Sequence, residues 1–216
     1  LGFHHDRKGE MVYQKLPLAI GIFEFQVDRI DKEMSELFFE YHDEAFAEAI
    51  AGMKTRQMRT IPVNIRIEPY FVVDQYDNIR SILEQSEGPF ALMNCVCRQA
   101  RDVTGQSCRT TVLRETCITL GNSARYMMNR GVAREMSREE ILRFLTRAKK
   151  EGLVLQPENS QRPDFICCCC GCCCAALLAA KKMDKPAEFI HSNYQAFVAS
   201  DQCEACDECL ERCPVD

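Results

Sequence analysis

Residues 166–180 read Ile-Cys-Cys-Cys-Cys-Gly-Cys-Cys-Cys-Ala-Ala-Leu-Leu-Ala-Ala, a run of cysteines followed by small and apolar residues. Seven cysteines fall within eight positions: Cys167, Cys168, Cys169, Cys170, Cys172, Cys173 and Cys174. If the run is extended, alternate thiols face opposite ways, so it could serve two metal centres, or one centre of unusual nuclearity. The alanines and leucines that follow predict a helix beginning at Cys172 or Cys173, whose amide dipoles would favour an anionic cluster. Gly171 would let the backbone bend tightly against inorganic sulfide.

The cysteine content must be explained either by disulfides or by metal ligation, since the chain holds 15 cysteines in 216 residues. Neighbouring cysteines cannot easily pair, because a disulfide needs converging Cβ vectors. The odd total and the lack of a visible signal peptide also disfavour a secreted disulfide scaffold. The most apolar stretch, 167–180, has 14 residues, fewer than the roughly 20 that span a bilayer. We therefore expect a soluble, cytoplasmic, metal-binding protein with no membrane span.

The last residues carry the most specific motif, with the spacing CxxCxxCxxxCP: Cys203, Cys206, Cys209 and Cys213 followed by Pro214. Three cysteines at this spacing wrap a tight loop around one cuboidal cluster, while the fourth points elsewhere. Zinc also accepts CxxC pairs, but zinc sites seldom combine three equally spaced cysteines with a following proline. The spacing therefore favours iron–sulfur ligation. Because the chain starts with leucine and stops inside this motif, we expect it to be part of something longer.

A second set of candidate ligands consists of Cys95, Cys97, Cys108 and Cys117. A CxC pair on a strand would aim both thiols at one face, because side chains alternate with a period of two. Cys108 and Cys117, on the helix expected next, could complete the four ligands that a cubane needs. Alternatively, these two cysteines are small buried hydrophobes of that helix.

Periodicity and turn residues predict the remaining elements. Residues 1–16 read as a β-hairpin that turns at residues 6–9, and Pro17 is consistent with a helix N-terminus. Asp31 caps an amphipathic helix over 31–53. The other expected elements are extended segments over 54–75, a short helix over 76–85, a strand over 90–96, and helices over 108–130 and 137–150. The last helix has a capping box at 137–140 and is followed by a strand to residue 155.

The span from about Leu92 to Asp216 resembles a family of multi-cluster [4Fe-4S] ferredoxin-like proteins of anaerobes. The matching residues are Cys95-Val96-Cys97-Arg98, the spaced Cys108 and Cys117, the run 166–174 and the C-terminal motif. Residues 193–216 resemble the first strand and first cluster loop of the bacterial two-cluster ferredoxin. In that ferredoxin the fourth cysteine ligates the second cluster, and the first loop needs a cysteine from a second half that this sequence lacks.

The resemblance implies three segments and a fold class. Residues 1–16 are similar to the wing of a winged-helix domain, 17–192 would form a mainly helical cysteine-rich cluster-binding domain, and 193–216 a partial ferredoxin module. The expected class is α+β, a mainly helical body with short strands and a partial ferredoxin-like cluster module at the C-terminus. The family commonly has Asn at the position of Cys168, so we rank that residue last among the ligands. We expect two to three [4Fe-4S] clusters, one of which could have unusual nuclearity. The expected ligands are Cys95, Cys97, Cys108, Cys117, Cys167, Cys169, Cys170, Cys172, Cys173, Cys174, Cys203, Cys206, Cys209 and Cys213.

Charge is segregated along the chain, although the net charge is only −5. Residues 95–150 hold twelve Lys and Arg against five acids, an excess that would offset anionic clusters. Arg98, Arg101 and Arg109 are the expected nearest cations; alternatively, the basic residues of 125–150 form a solvated helical face. Around residues 203–213 the acids Glu204, Asp207, Glu208 and Glu211 disfavour an extra electron, which predicts a low reduction potential for a cluster there.

These patterns predict an iron–sulfur electron-transfer protein or subunit that relays electrons between redox protein partners in anaerobic metabolism. We expect these partners to belong to a larger complex. We expect the protein to be an electron-transfer component of an oxidoreductase system in preference to being a catalyst itself. One alternative is a redox-sensing regulator whose winged helix binds DNA, for which the sequence shows only a candidate wing. Another is a catalytic reductase subunit with an unusual cluster, which would need an open iron position and a nearby acid. For the preferred function we expect no nucleic-acid partner.

Overall fold

A computed structural model of the chain describes residues 2–5, 10–62, 78–194 and 196–215. Near the N-terminus, β1 (Gly2–His5) and β2 (Met11–Gln14) pair antiparallel. The predicted hairpin pairing is therefore present, while its turn at 6–9 lies outside the described residues. The backbone after Pro17 is irregular, with extended residues inside Leu18–Ile22. A regular helix does not open there, contrary to the expectation.

The long amphipathic helix is confirmed, with an interruption. It comprises α1 (Lys32–Tyr41), a π-helical turn over His42–Phe46, and α2 (Ala47–Ala51). The Asp31 carboxylate accepts a hydrogen bond from the backbone N–H of Met34 at 2.8 Å, which makes it the N-cap that the sequence predicted.

A five-stranded antiparallel sheet organises the rest of the chain, with the order β5-β3-β4-β7-β6. The elements that follow α2 are α3 (Ile79–Gln85), β3 (Phe90–Asn94), α4 (Val96–Val103), β4 (Glu115–Leu120), α5 (Gly121–Asn129), β5 (Ala133–Met136), α6 (Arg138–Lys150), β6 (Val154–Pro157), β7 (Phe165–Cys169), α7 (Ala175–Lys181), α8 (Pro186–Phe189) and α9 (Glu208–Glu211). Both helices and a sheet are present, so the α+β class is confirmed. The sheet is nevertheless a larger part of the body than a mainly helical description implied.

Two sequence predictions in this region are wrong. The strand expected over 90–96 ends at Asn94, and α4 begins two residues later. The helix expected over 108–130 is instead a loop, then β4, then α5. The segment 115–120 holds Thr116, Ile118 and Thr119, β-branched residues that suit a strand. Gly121, with φ +55°, lies at the junction between β4 and α5.

The short helix and the extended segments expected before β3 are both present in the described residues. α3 begins at Ile79 with Asn78 as its N-cap, three residues after the predicted start. Within 54–75, residues 63–75 lie outside the described part. Met58 and Ile61, which are described, form isolated antiparallel bridges, so they are extended as expected. The described residues from 193 onward contain no strand, so the first strand of a ferredoxin module is not found.

Each face of the sheet buries its own hydrophobic core. Face A carries Leu92, Ile118 and Ile166, which pack with residues of α3 and α6. Face B carries Met93 and Cys117, which pack with residues of α1, α4 and α5. Because side chains alternate along β7, consecutive cysteines of the run belong to different faces of the sheet.

Among the helices in the described part of the chain, none combines the length and the apolar character needed to cross a membrane.

The capping box of α6 provides a test of local stability. The Ser137 hydroxyl accepts the Glu140 N–H at 3.2 Å, and the Glu140 carboxylate accepts the Ser137 N–H at 2.7 Å. We expect Ser137→Ala to lower the free energy of unfolding by about 1 kcal/mol, measured by denaturant titration, because an N–H at the helix start loses its acceptor.

The matched control lies on the same helix. The Thr146 hydroxyl donates to the carbonyl of Leu142 at 3.0 Å, a contact that does not support a helix, so Thr146→Ala should leave stability unchanged or slightly raise it. Equal losses in the two variants would contradict the assigned role of the cap.

Candidate metal centre

The register between β4 and β7 brings together the first group of thiols. Cys117 on β4 lies directly opposite Cys167 on β7, and both belong to the core of face B. Cys169 comes two residues later on β7 and so points to the same side. It packs with Cys174 and Leu177. Strand pairing thus joins cysteines that are far apart in the sequence.

Cys95 and Cys97 reach the same region from the junction of β3 and α4. Cys95 is the N-cap of α4, and Cys97 lies in its first turn. The two residues are therefore not on one strand, as the sequence suggested. The helix forms here because Val96 and Ala100, four residues apart, both pack in the core of face B. The thiols of Cys95 and Cys97 are nevertheless hydrogen-bonded to each other.

Nine cysteines line a single pocket, which we call the sheet pocket: Cys95, Cys97, Cys117, Cys167, Cys168, Cys169, Cys170, Cys173 and Cys174. Cys168, Cys170 and Cys173 also pack in the face A core, which leaves six thiols on the other walls of the pocket. The other walls include the apolar side chains of Phe23, Met93 and Val96. A pocket with this lining offers more thiols than the four that an iron–sulfur cluster requires.

A second and tighter set, which we call the turn group, consists of Cys108, Cys170, Cys172 and Cys173. Their Sγ atoms all lie within 4.8 Å of one another, and these four residues could hold a metal ion. No other set of three or more metal-ligand atoms in the described part of the chain is packed so closely.

The chain forms the turn group by reversing direction after β7. The N–H of Cys174 donates to the carbonyl of Cys170 at 3.1 Å, which closes a turn before α7. α7 therefore begins at Ala175, later than the predicted start at Cys172 or Cys173, and Cys174 is its N-cap. Cys108 approaches from the loop between α4 and β4.

The proposed quartet of Cys95, Cys97, Cys108 and Cys117 is accordingly corrected. Cys108 is in a loop and Cys117 is on β4, so the two do not share a helix. Cys108 lies 3.6 Å from Cys170 Sγ and 3.6 Å from Cys172 Sγ. It belongs to the turn group, whereas the other three belong to the sheet pocket.

Arg98 lies between the two thiol sets and is fully buried. Its guanidinium donates to the Thr116 hydroxyl and, at 3.1 Å, to the carbonyl of Cys168. Burial acts to lower its pKa, but the neighbouring Cys95 and Cys170 raise it overall. Its Nε is buried without a hydrogen-bond partner among the described residues. A buried cation of this kind needs anionic neighbours, and thiolates or a thiolate-bound metal would supply them.

The other two predicted cations play different parts. The Arg101 guanidinium lies 3.5 Å from the centre of the Phe39 ring, a cation–π contact, and it donates to Gln106. Arg109 contributes a backbone N–H to the thiol of Cys172. Of the three arginines, Arg98 is the one whose charge acts on both thiol sets.

The thiols differ in acidity within each set. The hydrogen bond with Cys97, aided by the charge of Arg98, lowers the pKa of Cys95 to about 7. The hydrogen bond with Cys173, also aided by Arg98, lowers the pKa of Cys170 to about 4. The partners Cys97 and Cys173 have raised pKa values for the converse reason. Each set thus contains a thiol whose pKa is lowered, which favours metal binding because the thiolate is the ligating form.

Cys168 occupies a distinct environment. It is fully buried in the face A core with Leu155 and Ile166. Burial, followed by the nearby Cys167, raises the pKa of its thiol well above the ordinary range. Its ranking as the last of the candidate ligands remains a prediction, and its surroundings are those of a core residue.

The C-terminal motif is at the surface. Cys203, Cys206 and Cys209 are exposed, and Cys213 is half-buried. Within the described part of the chain, these four cysteines do not form a set as compact as the turn group. The short helix α9 lies within the motif. The ferredoxin-like module is therefore a prediction that rests on the sequence spacing.

The motif ends against the turn group. A Cβ on Gly171 would collide with the backbone of Pro214, whose Cα would be 3.1 Å away. Val215 packs with Cys169, Cys174 and Leu177. The sequence predicted that Gly171 lets the backbone bend tightly against inorganic sulfide. In this structure the group that lies against Gly171 is the backbone of Pro214.

One candidate residue, Glu24, was missed by the sequence interpretation. Its side chain lines the sheet pocket together with Cys95 and Cys167, and burial raises its pKa to about 8. It also lines a neighbouring cleft that shares Cys117 and Cys167 with the sheet pocket. The available signal was a single acid within the apolar stretch 16–25.

No protein-family model, no curated protein and no solved structure matches this chain.

The position of Arg98 predicts how metal binding depends on pH. Metals displace protons from thiols, so a higher thiol pKa means that metal is released at a higher pH. Removing the cation in Arg98→Met raises the thiol pKa values. We expect the pH of half-release, followed by visible absorbance and metal analysis, to rise by about 1 unit.

Arg101→Met is the matched control, because it removes a neighbouring arginine of the same helix that stacks on Phe39. Its release curve should coincide with that of the unmodified protein. If the Arg98 variant also released its metal at the original pH, Arg98 would not be the counter-charge of the thiols.

Proposed function

We propose that this chain is an iron–sulfur electron-transfer protein, which holds a [4Fe-4S] cluster in the sheet pocket and passes electrons to and from redox protein partners. The observation that carries the proposal is the convergence of nine cysteines, six of them outside the face A core, on one largely apolar pocket beside the buried cation Arg98. The [4Fe-4S] cluster, when bound, supplies one-electron redox chemistry.

The residues present fit such a group in number, chemistry and charge. Six thiols offer a choice of four ligands, and Cys95 is acidic enough to be a thiolate near neutral pH. Arg98 offsets part of the negative charge that the cluster and its thiolates bring. The apolar walls exclude water, and together these features tune the reduction potential. The pocket thus combines ligands with a controlled electrostatic environment.

The C-terminal motif supplies a second candidate cluster site, at the surface. Its exposed thiols alternate with the exposed acids Glu204, Asp207 and Glu208. An acidic surface around a redox centre favours a partner with a basic face. Because Pro214 lies against Gly171, this motif is held next to the interior thiols. We propose that electrons pass between the buried pocket and the surface motif.

Iron and acid-labile sulfide provide the first test, on protein purified without oxygen. We expect equal amounts of iron and sulfide, in multiples of about four per chain. Cys97→Ser should remove about one cluster's worth of both, because it deletes a thiol of the sheet pocket.

Cys168→Ala is the matched control. Cys168 borders the sheet pocket as well, but its side chain is buried in the face A core with Leu155 and Ile166 and not with Cys117 and Cys167. The iron and sulfide contents of this variant should stay at the level of the unmodified protein. An unchanged iron content in the Cys97 variant would rule out this cluster assignment.

The contact between Gly171 and Pro214 tests the relay. Gly171→Ala places a methyl group where the Pro214 backbone lies, so the surface motif must move away. With the C-terminal motif loaded, we expect reduction of the buried centre, followed by stopped-flow absorbance, to slow severalfold.

Gly52→Ala is the control, because its added Cβ would meet its nearest atoms at 3.6 Å, an ordinary contact. It should transfer electrons at the original rate. If Gly171→Ala retained both its metal and the original rate, the C-terminal contact would play no part in transfer.

A catalytic reductase is a second candidate, favoured by Glu24. The catalytic hypothesis requires an acid close to the cluster, and Glu24 lies where the cleft meets the sheet pocket. If the cluster has an open iron position there, added cyanide should change the EPR spectrum of the reduced protein. An unchanged spectrum would contradict this second function and leave electron transfer as the proposal.

A further inference from the structure

Four of the six Sγ–Sγ distances in the turn group are 3.6 or 3.7 Å, and all six are within 4.8 Å. Cys108 is 3.6 Å from Cys170 and 3.6 Å from Cys172, measured between Sγ atoms. Cys172 is 3.7 Å from Cys170 and 3.7 Å from Cys173. Such separations within a group of four indicate a compact, roughly tetrahedral arrangement.

This spacing matches the coordination sphere of one metal ion. A tetrahedral ion with metal–sulfur bonds of about 2.3 Å places its ligand sulfurs about 3.8 Å apart. In a cubane each thiolate binds a different iron of a core that also contains sulfide. The four thiolates of a cubane therefore lie farther apart than four thiolates on a single ion.

We propose that Cys108, Cys170, Cys172 and Cys173 bind one tetrahedral, sulfide-free metal ion, as a centre separate from the iron–sulfur cluster proposed for the sheet pocket. The ion is a soft-ligand cation, zinc or iron, because a tetrahedral set of four sulfurs selects these metals. This inference does not depend on the proposed electron-transfer function.

The two centres are adjacent, since Cys170 and Cys173 also line the sheet pocket, but their thiols pack in different cores of the sheet. Cys170 and Cys173 belong to the core of face A, and Cys108 and Cys172 pack against it. In contrast, Cys117 and Cys167 belong to the core of face B. The reversal of direction after β7 thus carries the cysteine run from one face to the other.

Backbone and hydroxyl donors surround the turn group, as expected for an ordered thiolate site. The Thr110 hydroxyl lies 3.4 Å from Cys172 Sγ. The backbone N–H groups of Thr110 and Thr111 donate to Cys108, and those of Arg109 and Thr110 donate to Cys172. These donors come from one short loop, which therefore serves as the outer shell of the site.

The ion would connect elements that are distant in sequence. Cys108 and Cys170 are 62 residues apart, and the turn that follows Cys170 is the surface against which Pro214 lies. Metal binding contributes directly to folding free energy where it joins such segments. Zinc in this position has a structural role, since it has no redox chemistry.

The test combines metal analysis with two matched cysteine variants of the full chain, all purified without oxygen. We expect Cys172→Ser to lose one metal ion per chain and no sulfide. Cys97→Ser, in the sheet pocket, should retain that ion while it loses iron and sulfide together. Zinc and iron are counted separately, so the metal lost by Cys172→Ser identifies the ion.

The outcomes separate this proposal from the proposed function. Loss of iron and sulfide in equal amounts from Cys172→Ser would overturn the single-ion centre, because those thiols would then hold a cluster. If Cys97→Ser lost neither iron nor sulfide, the cluster of the sheet pocket would be refuted while the single-ion centre remained.

A spectroscopic measurement covers the case in which Cys172→Ser does not fold. Replacing the ion by Co²⁺ in the unmodified chain should give the visible bands and the sulfur-only X-ray absorption shell of a tetrahedral cobalt thiolate. A cobalt spectrum with oxygen ligands, or no cobalt uptake after removal of the native ion, would overturn the proposal.

Discussion

The buried charge of Arg98 is the constraint on which the cysteine-rich region depends. A guanidinium without solvent access is stable only when negative charge and hydrogen-bond acceptors surround it. In the described part of the chain no carboxylate forms an ion pair with it, and its hydrogen bonds go to the Thr116 hydroxyl, the carbonyl of Cys168 and the thiol of Cys108. The groups that raise the pKa of Arg98 are the neighbouring Cys95 and Cys170, which would be its counter-charges as thiolates. The arginine and the thiols therefore require each other.

The sheet explains why one run of cysteines can serve two sites. Along β7, side chains alternate between the two faces, so Cys167 and Cys168 enter different cores. Beyond β7, the turn brings the next cysteines to face A. A one-residue shift in the pairing of β7 with β4 would exchange these assignments. The register that pairs Cys117 with Cys167 is thus a requirement of the sheet pocket.

Some of this arrangement was accessible from the sequence. The alternation of thiols on an extended run, the cap at Asp31, the capping box at Ser137 and the importance of Arg98 followed from local patterns. The position of Cys108 did not, because its partners are set by a loop that has no periodicity. Cys97 was placed on a strand because the helix that begins at Val96 is decided by packing against face B. Glu24 was overlooked because a single acid in an apolar stretch does not reveal what surrounds it.

The sequence by itself determined the chemistry of the ligands: thiols in excess, a basic segment beside them, and a C-terminal spacing typical of iron–sulfur proteins. These properties depend on residue type and on separations of a few residues, which local geometry controls. Only the tertiary structure decided which thiols share a site, because that depends on strand register and on the path of loops between distant residues. It also decided the spacing of the sulfur atoms, since packing on each face of the sheet sets how closely four thiols can approach.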